Sequence, residues 1–100
     1  MLTFNLKKEW FEKIKSGEKT HEYRVFSLYW AKRISNAFRD NDFSFGMECK
    51  FALGYPKKNN NDRILRAKIN RIMLLESGIN TDLKINQPVF DIEFELVKEK

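Results

Sequence analysis

One hundred residues with 42% hydrophobic side chains and nine phenylalanines make one domain, residues 1–100, able to bury a core without staples. A single cysteine, Cys49, excludes an internal disulfide, and a single histidine, His21, leaves no His-based zinc cluster and no Ser-His-Asp triad, so no metal or cofactor is expected. With no apolar leader at the amino terminus and no run long enough to span a bilayer, the +5 chain reads as a soluble, cytoplasmic protein without a membrane partner.

Leu2 to Leu6 reads as a short strand. Asn5 is placed to cap a helix that carries Leu6, Trp10, Phe11 and Ile14 on one side. Ser16-Gly17 stops that helix, because glycine tolerates the left-handed conformation that closes it. Thr20 to Phe26, β-branched and aromatic, reads as a strand. Alternation puts Thr20, Glu22 and Arg24 on one of its faces and His21, Tyr23 and Val25 on the other. Lys19 stands at the corner, where its ammonium can swing toward the first face.

Ser27 caps a second helix with Trp30, Ile34, Ala37 and Phe38 at helical spacing and Lys32, Arg33 and Arg39 opposite. Arg39 to Gly46 reads as a loop. Met47 to Leu53 alternates Met47, Cys49, Phe51 and Leu53 against Glu48 and Lys50, a half-buried strand with a buried thiol. Gly54 to Asp62 reads as a long hairpin loop. Arg63 to Leu74 is the next strand, with Leu65, Ala67 and Ile69 inward and Arg66, Lys68 and Asn70 outward. Ser77 to Gln87 is a connection with room for one turn of helix. The last strand buries Phe90, Ile92, Phe94 and Leu96 and exposes Asp91, Glu93 and Glu95. On these elements alone the chain is α+β.

Gly17, Lys19, Glu22 and Arg24 form the pattern Gly-x-Lys-x-x-Glu-x-Arg behind an amphipathic helix. That pattern resembles the signature of the ASCH domain, a small β-barrel family related to the PUA RNA-binding fold. Leu2 to Arg24 resembles the family's opening strand, helix and second strand, and Val89 to Val97 its last strand. The resemblance implies a small PUA-like β-barrel of about five strands with two helices packed at one end. It also implies a cleft between helix and barrel lined by the motif charges. Read without it, Glu22 and Arg24 are an ordinary same-face ion pair and Lys19 a turn residue.

The positive charge is localised. Lys57, Lys58, Arg63, Arg66, Lys68 and Arg71 face only Asp62 within their window, which therefore holds the whole net excess of +5. A basic stripe of this kind is a footprint of phosphate binding. Lysine is frequent along the chain, as codon bias in an AT-rich genome produces, so the three arginines carry more of that inference. Among the aromatics, Trp10, Phe11, Trp30, Phe38, Phe51, Phe90 and Phe94 fall on apolar faces and read as core. Tyr55, beside Pro56 and Lys57-Lys58, reads as a base-stacking residue or a packed loop anchor, and Tyr29 is placed near the motif cleft.

Three functions stay open. The first is a nucleic-acid binding module, most plausibly for RNA. There Lys19, Glu22 and Arg24 take a phosphate or base edge, Tyr55 stacks, and Arg63, Arg66, Lys68 and Arg71 contact phosphates. The second is an enzyme on RNA or a modified nucleoside, since the resemblance extends to ribonucleases and to an acetylcytidine amidohydrolase. Lys19 matches the amidohydrolase lysine, but Glu22 stands where its threonine is expected. Thr20 is the nearest hydroxyl and Glu76 a candidate for its later glutamate, so Lys19 and Glu22 are the catalytic candidates with Thr20 behind them. The third is an interaction or structural domain, with a homodimer through the acidic last strand and the basic stripe left open.

Overall fold

A strand of alternating apolar residues can keep one face dry only if something covers it, and here the sheet covers itself by curling. The computed structural model describes residues 2–40, 46–54 and 63–97. Its elements are β1 (Leu2–Leu6), α1 (Lys8–Lys15), β2 (His21–Val25), α2 (Leu28–Asp40), β3 (Glu48–Leu53), β4 (Ile64–Leu75) and β5 (Val89–Leu96). The strands form one mixed sheet in the order β1-β3-β4-β5-β2, with β1 parallel to β3 and every other pair antiparallel. The sheet bends into a half-barrel with two helices, a small α+β fold compatible with a PUA-like barrel.

Phe4, Phe11, Ile14, Cys49, Phe51, Ala67, Ile69 and Ile92 are almost wholly buried and make the core, with Ile34 reaching it from α2. The expected alternation holds in β3 as far as Phe51, beyond which Ala52 is buried and Leu53 half-buried, and in the first half of β4. It does not run unbroken through β4. The register against β5 slips between Ile69 and Arg71, leaving Asn70 as an extra residue. Beyond this bulge the parity reverses. Ile72 packs against the core and Leu74 is exposed, while Arg71 stays outside, where continued alternation would have turned it inward. The bulge also helps bend a 12-residue strand around the core.

The first helix starts later than expected, and the second runs on to Asp40, two residues into the expected loop. Lys7, not Asn5, is the cap position of α1, and it makes no side-chain cap bond; Asn5 belongs to β1. Ser27 caps as expected, its Oγ accepting from the Trp30 N–H at 3.2 Å. Residues 77–87 hold turns and a Gly78–Ile85 bridge rather than a helical turn. Gly78 is needed there, since a Cβ would lie 2.7 Å from Val89 Cγ1. No helix among the described residues is long and apolar enough to cross a membrane.

Burial first, then the carboxylates of Glu22 and Glu48, push the Cys49 thiol up to about 12. A thiol so placed presents almost no thiolate at neutral pH. Ellman's reagent at pH 8 is therefore expected to leave the folded protein unmodified and to titrate one thiol in denaturant. Rapid labelling of the native protein would show that the core around Cys49 opens locally.

A cleft at the seam of the half-barrel

The strand order leaves β1 and β2 at opposite edges of the sheet, and the curl brings them back toward each other. Arg24 on β2 spans the seam. Its Nη2 donates to the Asn5 carbonyl on β1 at 3.1 Å and to Glu22 Oε2 at 2.8 Å. The guanidinium also lies 5.2 Å from the Phe4 ring centre and 5.0 Å from that of Trp30, and those two rings stack on each other. Its Nε is buried and has no hydrogen-bond partner among the described residues, so one donor remains at the seam.

Glu22 is only 5% exposed. Burying a lone carboxylate would cost several kcal/mol, so its partners decide whether the fold tolerates it. Oε2 takes Arg24, while Oε1 accepts the Tyr23 N–H at 3.2 Å and lies 3.5 Å from Lys19 Nζ. The Tyr23 bond follows from strand geometry. Thr20 and Phe26 exchange main-chain bonds with the β5 side, so His21, Tyr23 and Val25 direct theirs toward the open edge. Glu22 thus occupies one group of that edge and Arg24 answers a carbonyl of the other.

Lys19 is set by the end of α1. Gly17 closes the helix at φ 87°, and the Lys19 N–H returns to the Lys13 carbonyl at 3.0 Å. The side chain is then 8% exposed, over the faces of Trp10 and Tyr23, with its Nζ bonded to Asp82 as well as close to Glu22. Burial above all, then Asp91, Asp82 and Glu22, holds the Tyr23 phenol above its ordinary range, so it stays a hydrogen-bond donor.

Between the two edges lies a cleft of about 480 Å³. Asn5, Leu6 and Lys7 form one side and Glu22 to Val25 the other, with Trp10 from α1, Trp30 from α2, and Asp82, Leu83 and Ile85 from the β4–β5 connection. A second hollow of about 310 Å³ adjoins it, sharing Trp10, Tyr23 and Asp82 and adding Lys13, Glu18, Lys19, Thr20 and His21. His21 Nδ1 is 2.7 Å from Asp91 Oδ1.

Lys19, Glu22 and Arg24 are therefore brought together, and Thr20, exposed, joins them only through the second hollow. Trp10 and Trp30, expected in the core, are half-buried and line the cleft. Tyr29 is exposed, edge-on to Trp30, and does not line it. Glu76 is exposed and lines neither hollow. Asp82 was missed, because nothing local marks an aspartate 63 residues from the lysine it meets.

The cations of β4 stand apart from the cleft. Arg66 pairs with Glu48 at 2.6 Å and Arg71 with Glu93 at 3.0 Å, and Lys68 lies in register between Glu48 and Glu95. Arg63 is exposed at the start of that strand. Tyr55, Lys57 and Lys58 lie outside the described residues. Within the motif cluster, Lys19 and Arg24 balance Glu22 and Asp82, and exposed Lys7 adds a single positive charge to the cleft lining.

No family model matches the chain, and no curated protein matches it. Among solved structures, the crystal structure of hypothetical protein PH0355 aligns over 96% of this chain and 98% of its own, with a TM-score of 0.53 and 17% identity. At that identity the likeness is one of fold.

Removing the Glu22 charge leaves Arg24 without its ion partner, while Lys19 keeps Asp82. Glu22→Gln is expected to lower unfolding stability in urea by about 2 kcal/mol, with the fold retained. A change below about 0.5 kcal/mol would place this pair with surface ion pairs.

Proposed function

We propose that this protein binds single-stranded RNA, taking an unstacked base into the seam cleft. The observation that carries the reading is the set of half-buried rings, Trp10, Tyr23 and Trp30, around a buried carboxylate–guanidinium pair. Rings of that kind offer stacking faces to any base. The polar groups between them offer both acceptors and donors: the Glu22 carboxylate, the Arg24 guanidinium, and the Tyr23 carbonyl and Val25 main chain that the pairing of β2 with β5 turns outward. A volume of about 480 Å³ falls within the roughly 300–1,000 Å³ of small-molecule sites. The Gly-x-Lys-x-x-Glu-x-Arg resemblance to ASCH domains, relatives of an RNA-binding barrel, points the same way.

Charge balance decides which part of a nucleotide enters. A phosphate would meet Glu22 and Asp82 as well as Lys19 and Arg24, whereas a neutral base meets no net repulsion. Arg63 and Lys68 then supply long-range attraction, with Arg66 and Arg71 already engaged by acids. Hydrolysis has less support. A lysine base must first release two carboxylate contacts, and Glu76 is off the cleft.

Both tryptophans of the chain line the cleft, so intrinsic fluorescence reports on it directly. Single-stranded oligoribonucleotides are expected to quench that fluorescence saturably, while duplex RNA of the same sequence does not. With about two phosphates engaged, the slope of log K against log salt should be on the order of −1.5. Absence of quenching at low salt would refute the reading, and a slope several times steeper would move the main contact to the β4 stripe.

A further inference from the structure

We infer that the second hollow is a phosphate subsite, and that the Asp82 carboxylate holds the phosphate's place beside Lys19 in the free protein. The inference rests on base binding in the seam cleft. The two hollows meet at Trp10, Tyr23 and Asp82, so a base in the larger one leaves its sugar and phosphate directed toward the smaller. There the lining changes character. Lys13, Lys19, the Thr20 hydroxyl and His21 replace the indole of Trp30 and the aliphatic chains of Leu83 and Ile85. Lys19 and Lys13 lie 5.3 and 5.0 Å from the Trp10 ring centre, and both line the hollow.

Asp82 is the group that can leave. Lys19 keeps Glu22 as a counter-charge without it, so its departure orphans no cation. The Asp82 side chain is 33% exposed, against 7% for Glu22. The connection that carries it is held at its base by Ser77 Oγ to Asn86 Oδ1 at 2.8 Å and by the Gly78–Ile85 bridge, and at its tip by Thr81, so Asp82 leaves by rotating its side chain rather than by opening the turn. A carboxylate and a phosphate offer Lys19 the same kind of acceptor oxygen. Of the charges that line the hollow, Lys13 and Lys19 face Glu18 and Asp82; displacing Asp82 removes one negative charge from beside Lys19, while Glu22 and Glu9 stay near Lys19 and Lys13.

The test compares the full chain with Asp82→Asn, both first matched by circular dichroism and a cooperative melt. Tryptophan fluorescence is titrated with the four ribonucleosides and their 3′-monophosphates at one fixed salt concentration. The variant is expected to raise the ratio of monophosphate to nucleoside affinity about five- to tenfold. An unchanged ratio of monophosphate to nucleoside affinity, or weaker monophosphate binding, overturns the subsite. Nucleosides that still quench in that case leave base binding standing. No saturable quenching by any of these ligands overturns both.

Discussion

The buried Glu22 carboxylate is the constraint from which the seam follows. An open sheet that curls on itself brings two unpaired edges together, and each edge carries main-chain donors and acceptors that resist drying. Here they are too far apart to pair as strands, and side chains close part of the gap. Arg24 donates across it to Asn5 and backward to Glu22, and Glu22 turns its other oxygen to the Tyr23 N–H. Neither residue would be stable there alone. Each offsets a desolvation cost of several kcal/mol for the other, so the pair is kept or lost as a unit.

The same arrangement explains why a cleft exists at this place. Side chains bridge the seam at its inner part, and the remaining length is flanked by rings from both helices and by the β4–β5 connection. Structural and binding roles of the motif therefore need not compete. The guanidinium that ties β2 to β1 has no partner at its buried Nε among the described residues, and the carboxylate that neutralises it lines the cleft. A ligand entering between the edges can engage groups that are already oriented, which lowers the entropic cost of binding.

Much of this was legible locally. Glycine at the end of an amphipathic helix, two-residue alternation in β2, and opposite charges at Glu22 and Arg24 are short-range signals, and each corresponds to a feature of the fold. What escaped is what lies across the chain. Helical spacing puts Trp10 and Trp30 on inward faces but cannot say that an open seam, rather than packed side chains, stands opposite. Asn5 looked like a cap because its type suits one; the parallel pairing with β3 claims it for β1 instead. The β4 bulge breaks a pattern that reads as continuous, because one extra residue is invisible until a partner strand sets the register.

Charge shows the same limit in another form. Counted along the chain, residues 57–71 hold the whole net excess, and the stripe looks like a binding surface. A sheet rearranges that count. Strands β3 and β5 flank β4, and they bring Glu48, Glu93 and Glu95 beside Arg66, Arg71 and Lys68. Opposite charges on adjacent strands stabilise the sheet modestly, by about 0.2–1 kcal/mol each, and shorten the reach of the field they leave behind. The attraction left for a polyanion is smaller than the linear sum, so recognition must draw more on the seam, where rings and a compensated buried pair favour a base over a phosphate.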